Sequence, residues 1–164
     1  MEQKQLSTSP EGLVLIRQFE GCVLRAYKCP AGVWTIGIGH TAGVTPNDKI
    51  SQNQAEEFLK QDIIPIERRL NATFPGLKQN QFDALVSFIF NIGWGTFLSS
   101  TLYERIKAGA NDILVCEQML RWVYADKKVL LGLMKRRVAE ANLWMGRQAY
   151  QVVVKNNHAK IVSV

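Results

Sequence analysis

Residues 33–40 read Val33-Trp34-Thr35-Ile36-Gly37-Ile38-Gly39-His40. Bulky and small side chains alternate strictly through this stretch, the period of a β-strand rather than of a helix. Trp34, Ile36, Ile38 and His40 fall on one side; Thr35, Gly37 and Gly39 fall on the other. The first side reads as core. The second is almost free of side chains, which either lets a flat ligand such as a sugar ring reach the backbone or accommodates a neighbouring helix. Both readings stay open at this point. Pro30, Gly32 and Gly43 punctuate the stretch as turns, so a small antiparallel sheet is predicted, beginning near Leu24–Tyr27.

Working outward, Thr8-Ser9-Pro10-Glu11 reads as a helix start, with capping-box spacing from Thr8 to Glu11 and Pro10 in the first turn. Leu13, Ile16 and Phe19 or Glu20 then recur at helical spacing, and Gly21 ends the helix. On the other side of the sheet, Ser51 and Gln54 open a long helix reaching about Leu70, which Pro65 is expected to kink or interrupt. Further helices are predicted over Asn80–Asn91, Thr96–Ala108, Asp112–Trp122 and Leu133–Met145, with Gly93, Gly95, Gly109 and Gly132 at the breaks. Val152–Val154 and Ile161–Val164 flank a polar segment and read as a short hairpin or a mobile tail. The class is α+β in a single domain, 1–164. A sheet lobe covers about 12–50, a connecting helix about 51–70, a helical lobe about 71–146 and a tail 147–164.

Composition narrows the function classes. With 164 residues, 47% hydrophobic and 21% charged, the chain can bury a core, which excludes a disordered protein and a disulfide-dependent miniprotein. The net charge of +6 suits a polyanionic partner: nucleic acid, an anionic membrane surface or an acidic polymer. The longest apolar runs, such as Leu13–Ile16 and Val129–Leu131, are too short to span a bilayer, so no stable membrane insertion is expected. Met1–Pro10 carries no apolar signal segment, which predicts a cytoplasmic start. Cys22, Cys29 and Cys116 leave at least one thiol unpaired and form no C-x-x-C pair. His40 and His158 are too few for a three-histidine zinc site or a zinc finger, so neither metal nor cofactor is expected. Gly37 to Gly43 follows G-x-G-x-x-x-G, which fails the dinucleotide-binding context. No aromatic–basic stripe or reader motif points to nucleic acid.

Two side chains stand out for chemistry. Glu20 closes the first helix among the apolar residues Phe19, Cys22 and Val23, a setting that favours a protonated carboxyl and suits a proton donor. Thr35 is the only reactive side chain on the bare side of the strand. Taken alone, a glutamate at a helix end is more often a solvated charge.

Read whole, the segment resembles a known signature. Phe19-Glu20-Gly21, Tyr27, Gly32 and Trp34-Thr35-Ile36-Gly37-Ile38-Gly39-His40-Thr41 are similar to the active-site stretch of phage-type lysozymes, endolysins that cleave the glycan strands of peptidoglycan. That family carries a Glu, eight residues, usually an Asp, five residues, then a Thr; Glu20 and Thr35 keep this spacing. Ser51–Asp62 resembles the family's connecting helix. Gln81–Leu85 through Phe90–Gly93 resembles its buried helix, and Trp122-Val123-Tyr124 with Gly132–Arg137 and Glu140 its closing segment. The likeness covers roughly residues 10–146.

The resemblance implies a lysozyme-like fold with a cleft between the lobes and hydrolysis of the β-1,4 bond between N-acetylmuramic acid and N-acetylglucosamine. It implies Glu20, Cys29 and Thr35 as catalytic residues, Gly37, Gly39, Arg136 and Arg137 along the substrate, and His40 paired with Asp62. One of the two arginines would meet Glu20, or both would form a solvated cationic face. It further implies a monomer whose partner is peptidoglycan. A separate holin would release it from the host cytoplasm by permeabilising the membrane, after which it acts on the cell wall in the periplasm. Cys29 stands where the family usually has Asp. A thiol with a pKa near 8.5 brings less standing charge than a carboxylate near 3.9, so Cys29 either assists as a thiolate or merely fills space beside Pro30. The alternative reading is a peptidoglycan-binding protein of the same fold with weakened catalysis.

Overall fold

The computed structural model describes residues 4–164. Helix α1, Pro10–Glu20, starts one residue later than the Thr8 spacing suggests, because Ser9 caps it: its Oγ accepts from Gly12 N at 3.3 Å. Thr8 is drawn away, its hydroxyl donating to Glu67 Oε1 at 2.7 Å. Strands β1 (Val23–Lys28) and β2 (Trp34–Gly37) form the antiparallel sheet, with Tyr27 opposite Thr35 and Lys28 opposite Trp34. The alternation through His40 is not one strand. Gly37 and Gly39 take φ of +64° and +72°, and the chain folds back so that Ile36 N donates to His40 O and His40 N to Ile36 O, at 2.8 and 3.0 Å.

Helix α2, Gln52–Thr73, opens with the complete capping box of Ser51 and Gln54. It runs through Pro65 without the interruption that was one of the two expected outcomes. A helical proline costs about 3 kcal/mol, and burial of Leu59 and Ile63 on one side and Ile66 and Leu70 on the other outweighs it.

Helix α3, Gln79–Ile92, is buried along most of its length and forms the centre of the helical lobe. The single helix predicted over Thr96–Ala108 is two, α4 (Trp94–Leu98) and α5 (Thr101–Lys107), because Ser100 caps a new start by accepting from Tyr103 N at 3.1 Å. Gly95 therefore lies inside α4 rather than at a break. Helix α6, Asp112–Met119, ends before Trp122. A hairpin of β3 (Tyr124–Ala125) and β4 (Lys128–Val129) follows, unanticipated from the sequence. Helix α7, Leu131–Met145, then packs on α3 and takes Gly132 into its first turn. The tail is the hairpin of the two alternatives: β5 (Tyr150–Lys155) and β6 (His158–Ser163) turn at Asn156-Asn157, both at positive φ, and pack on α7.

Helices α1 and α3 approach so closely at Gly12 that a Cβ there would lie 2.7 Å from Thr8 Cγ2 and 2.9 Å from Asp83 Cγ. Asp83 cannot move aside, since it accepts from Ser9 N at 3.0 Å and Ser9 Oγ at 2.5 Å. Replacing a helical glycine by alanine ordinarily gains up to about 1 kcal/mol. Here the sign reverses: Gly12→Ala loses about 1–3 kcal/mol, read as a lower urea midpoint at unchanged slope.

Candidate active site

Glu20 is the last residue of α1, where the helix meets the sheet. The apolar surroundings expected for it do not form, because Cys22 and Val23 are exposed. Instead Arg136 of α7 places Nη1 2.5 Å from Glu20 Oε1 and lies 5.9 Å from the centre of the Phe19 ring. Arg136 is itself fixed: Nε donates to Glu140 Oε1 at 3.0 Å and Nη2 to Ser87 O at 2.9 Å. Arg137 is wholly buried, donating to Glu140 Oε2 at 2.6 Å, to Trp122 O at 2.9 Å and to Asn91 Oδ1. Burial pulls the Arg137 guanidinium below its usual range, and the Glu140 charge works against that pull. Of the two arginines, Arg136 reaches Glu20 and Arg137 faces inward, so the solvated cationic face is not formed.

The sheet brings the remaining residues together. Cys29, Pro30, Ala31 and Gly32 make a tight turn, closed by Gly32 N donating to Cys29 O at 2.8 Å, and Cys29 N donates to Val33 O at 3.0 Å. The first position of such a turn suits Asp, whose carboxylate accepts from backbone amides two or more residues on. The Cys29 sulfur takes that place. The amide of Val33 foremost, then that of Ala31 and the Thr35 hydroxyl, hold its thiol below the ordinary range, against partial desolvation. Thr35 is buried and its Oγ1 donates to Val33 O at 3.0 Å, so its one proton serves either that carbonyl or the sulfur. Tyr27, directly across the sheet from Thr35, stands within electrostatic reach of both acids: burial first, then the charges of Cys29 and Glu20, push its phenol up.

The two glycines part company. A Cβ on Gly37 would lie 3.2 Å from Ala55 Cβ and from Ile50 Cδ1, so this glycine accommodates the start of α2. A Cβ on Gly39 would lie 3.3 Å from Glu20 Oε2, so its bareness leaves room around the carboxylate. Only Gly39 opens toward the site. His40 Nδ1 lies 2.8 Å from Asp62 Oδ2, and its ring stacks on Phe58 at 4.3 Å, fastening the loop after β2 to α2. Trp94 and Tyr103 pack with Phe97 and belong to the helical lobe.

The family described as phage lysozyme matches residues 17–140. The chain belongs to the phage lysozyme family. It is a glycoside hydrolase of the lysozyme type. An endolysin of Acyrthosiphon pisum secondary endosymbiont phage 1 is 43% identical over 141 residues, covering 83% of this chain and 96% of that one. Among solved structures, the muramidase domain of SpmX from Asticaccaulis excentricus superposes with a TM-score of 0.77 at 35% identity, covering 85% of this chain and 97% of that one. The active form of the P1 phage endolysin Lyz superposes with a TM-score of 0.76 at 31% identity, covering 85% of each chain.

For this phage lysozyme family member, sequence reasoning passed over the supporting network. Glu140 stands four and three residues after Arg136 and Arg137, a spacing that puts all three on neighbouring helix positions and could have signalled the pairing. Ser87 and the Trp122 carbonyl left no such signal. The thiols supply a direct check. Alkylation of Cys29 by iodoacetamide rises with pH as thiolate forms, with a midpoint below that of an ordinary free thiol, because the Val33 amide favours the thiolate. Cys116, whose thiol burial chiefly pushes up to about 12, stays unmodified until the protein is unfolded. Peptide mass mapping of protein labelled across a pH series reads both.

Proposed function

We propose that this chain is an endolysin that hydrolyses the β-1,4 bond between N-acetylmuramic acid and N-acetylglucosamine in peptidoglycan, acting as one monomeric domain over residues 1–164. The observation that carries the reading is the Arg136-held Glu20 carboxylate, whose second oxygen lies toward Gly39, with Tyr27 across from Thr35 on the sheet feeling the charges of both Cys29 and Glu20. Glu20, protonated on that oxygen, donates to the leaving glycosidic oxygen as the bond to the anomeric carbon breaks. Thr35 orients a water on the other face of the sugar, and the Cys29 thiolate polarises it. Water attack inverts the anomeric configuration; attack by sulfur, followed by hydrolysis of the adduct, retains it.

Arg136 acts in this scheme as the positioning residue for Glu20, and Arg137 holds Arg136's surroundings rather than substrate. Gly39 is the glycine the sugar approaches. The basic net charge of +6 complements an anionic wall polymer. Release from the host cytoplasm through a membrane permeabilised by a separate holin, and action from the periplasmic side, complete the proposal.

Mass spectrometry of products from purified peptidoglycan tests the bond. Muropeptides with a reducing N-acetylmuramic acid are expected; a new reducing N-acetylglucosamine end overturns the assignment, and anhydro ends replace hydrolysis by transglycosylation. Turbidity clearing of cell-wall suspensions separates the enzyme from a wall-binding protein of the same fold. Glu20→Gln, folded by circular dichroism, is expected to lose about 10²–10⁴-fold in clearing rate. Thr35→Val is expected to lower kcat on a soluble chitooligosaccharide while leaving its Kd nearly unchanged; a parallel fall in affinity would make Thr35 a binding residue. Cys29→Asp is expected to keep or raise activity and to lose sensitivity to alkylation at this site, whereas Cys29→Ala is clearly weaker than either. A fully active Cys29→Ala reduces the position to packing.

A further inference from the structure

Residues 121–135 lead from the end of α6 through the β3–β4 hairpin into α7. They contain four basic residues, Arg121, Lys127, Lys128 and Lys135, all exposed, against one acid, Asp126. The resulting +3 is half of the chain's +6, gathered in 15 of 164 residues. The same stretch exposes large apolar side chains: Tyr124 at 63%, Val129 at 48%, Leu130 at 43% and Leu131 at 42%. Tyr124 and Val129 are cross-strand partners, so they stand on one face of the hairpin. The element is well defined. Asp126 and Lys127 take φ of 49° and 62° in a two-residue turn, and Leu130 N donates to Val123 O at 2.9 Å across its base.

Apolar surface left in water forgoes about 25 cal/mol per Å², and an exposed aliphatic cluster of this kind marks an interaction site. The glycan proposed above as substrate offers hydroxyls, amides and carboxylates, which one valine and two leucines do not complement. Tyr124 and Val129 on one face of the hairpin, Lys128 paired with Ala125 on the other and Lys127 at the turn instead suit a hairpin that enters the headgroup–acyl boundary of a negatively charged bilayer tip first, with both faces in contact. No helix among the described residues is long and apolar enough to cross a membrane, so the contact is peripheral. We infer that the β3–β4 hairpin, with the start of α7, is a docking surface for an anionic lipid membrane, held by Lys127 and Lys128 and by shallow burial of Tyr124 and Leu130. The hairpin runs directly into the helix that carries Arg136, so docking sets the candidate site close to the membrane surface.

Flotation with vesicles of phosphatidylcholine alone, and of phosphatidylcholine with about one-third phosphatidylglycerol, tests this without any wall substrate. The full chain is expected to partition at least about tenfold more onto the anionic vesicles. Lys127→Glu/Lys128→Glu, at the exposed turn, is expected to lose at least about tenfold of that partition, since each basic residue near such a surface contributes about fivefold. Tyr124→Ser/Leu130→Ser is expected to lose partition with the charge intact, and circular dichroism shows whether it is folded. Should the apolar variant fail to fold, the charge variant decides. The proposal is overturned if the wild type does not float with anionic vesicles, if it partitions equally onto both compositions, or if the charge variant floats like the wild type. Weakened sedimentation of the charge variant with purified peptidoglycan at unchanged vesicle binding would assign the hairpin to the wall instead. Retained cleavage of a soluble chitooligosaccharide by the charge variant separates a docking defect from damage to the site.

Discussion

The carboxylate of Glu140 has no exposure, yet it sits between two guanidiniums, 3.0 Å from Arg136 and 2.6 Å from Arg137. A buried charge is tolerated only when it is paired and its remaining lone pairs and protons are satisfied. Ser87 completes Glu140 by donating to it at 2.8 Å, while Asn91 and the Trp122 carbonyl complete Arg137. Arg136 has one further donor, and Glu20 Oε1 accepts it from Nη1 at 2.5 Å. The candidate proton donor is therefore the fourth member of this cluster, and the junction of α1 with α7 depends on it.

This coupling explains how a glutamate at the end of an ordinary amphipathic helix is positioned. The start of α1 is fastened to α2 and α3 through Thr8 on Glu67 and Ser9 on Asp83. Its end is fastened to α7 through Arg136. Gly12 sets how closely the helix lies on α3. The sheet is held separately, by Gly37 against Ala55 and by His40 on Asp62. Glu20 thus stands at the junction of two units anchored to different parts of the helical lobe, with Cys29 and Thr35 carried by the sheet.

At Cys29 the turn closed by Gly32 N on Cys29 O brings backbone amides, that of Val33 foremost, close enough to the sulfur to hold its thiol below the ordinary range. Those donors stabilise negative charge on a sulfur as they would on a carboxylate oxygen. The difference is the neutral form: a thiol begins much further from ionisation than a carboxyl, so the same stabilisation leaves it closer to the titration point.

The sequence by itself determined the elements whose cues are local. The Ser51–Gln54 box, the place of Pro10 in the first turn of α1 and the β-period at Trp34–Gly37 each rest on contacts within a few residues. It misjudged what neighbours in space decide. Pro65 sits in an unbroken helix because hydrophobic burial on both sides outweighs a missing hydrogen bond. Ser9 caps α1 because Glu67, far along the chain, takes Thr8. Gly37 and Gly39 looked equivalent by alternation, yet one faces α2 and the other Glu20, since positive φ at both turns the strand back on itself. Which arginine meets Glu20 could not be read from adjacent residues 136 and 137, because it depends on the rotation of α7 against α3. A helix separates consecutive side chains by about 100°, and only the partners Glu140 and Ser87, both buried, and Asn91 select which of the two points at the acid.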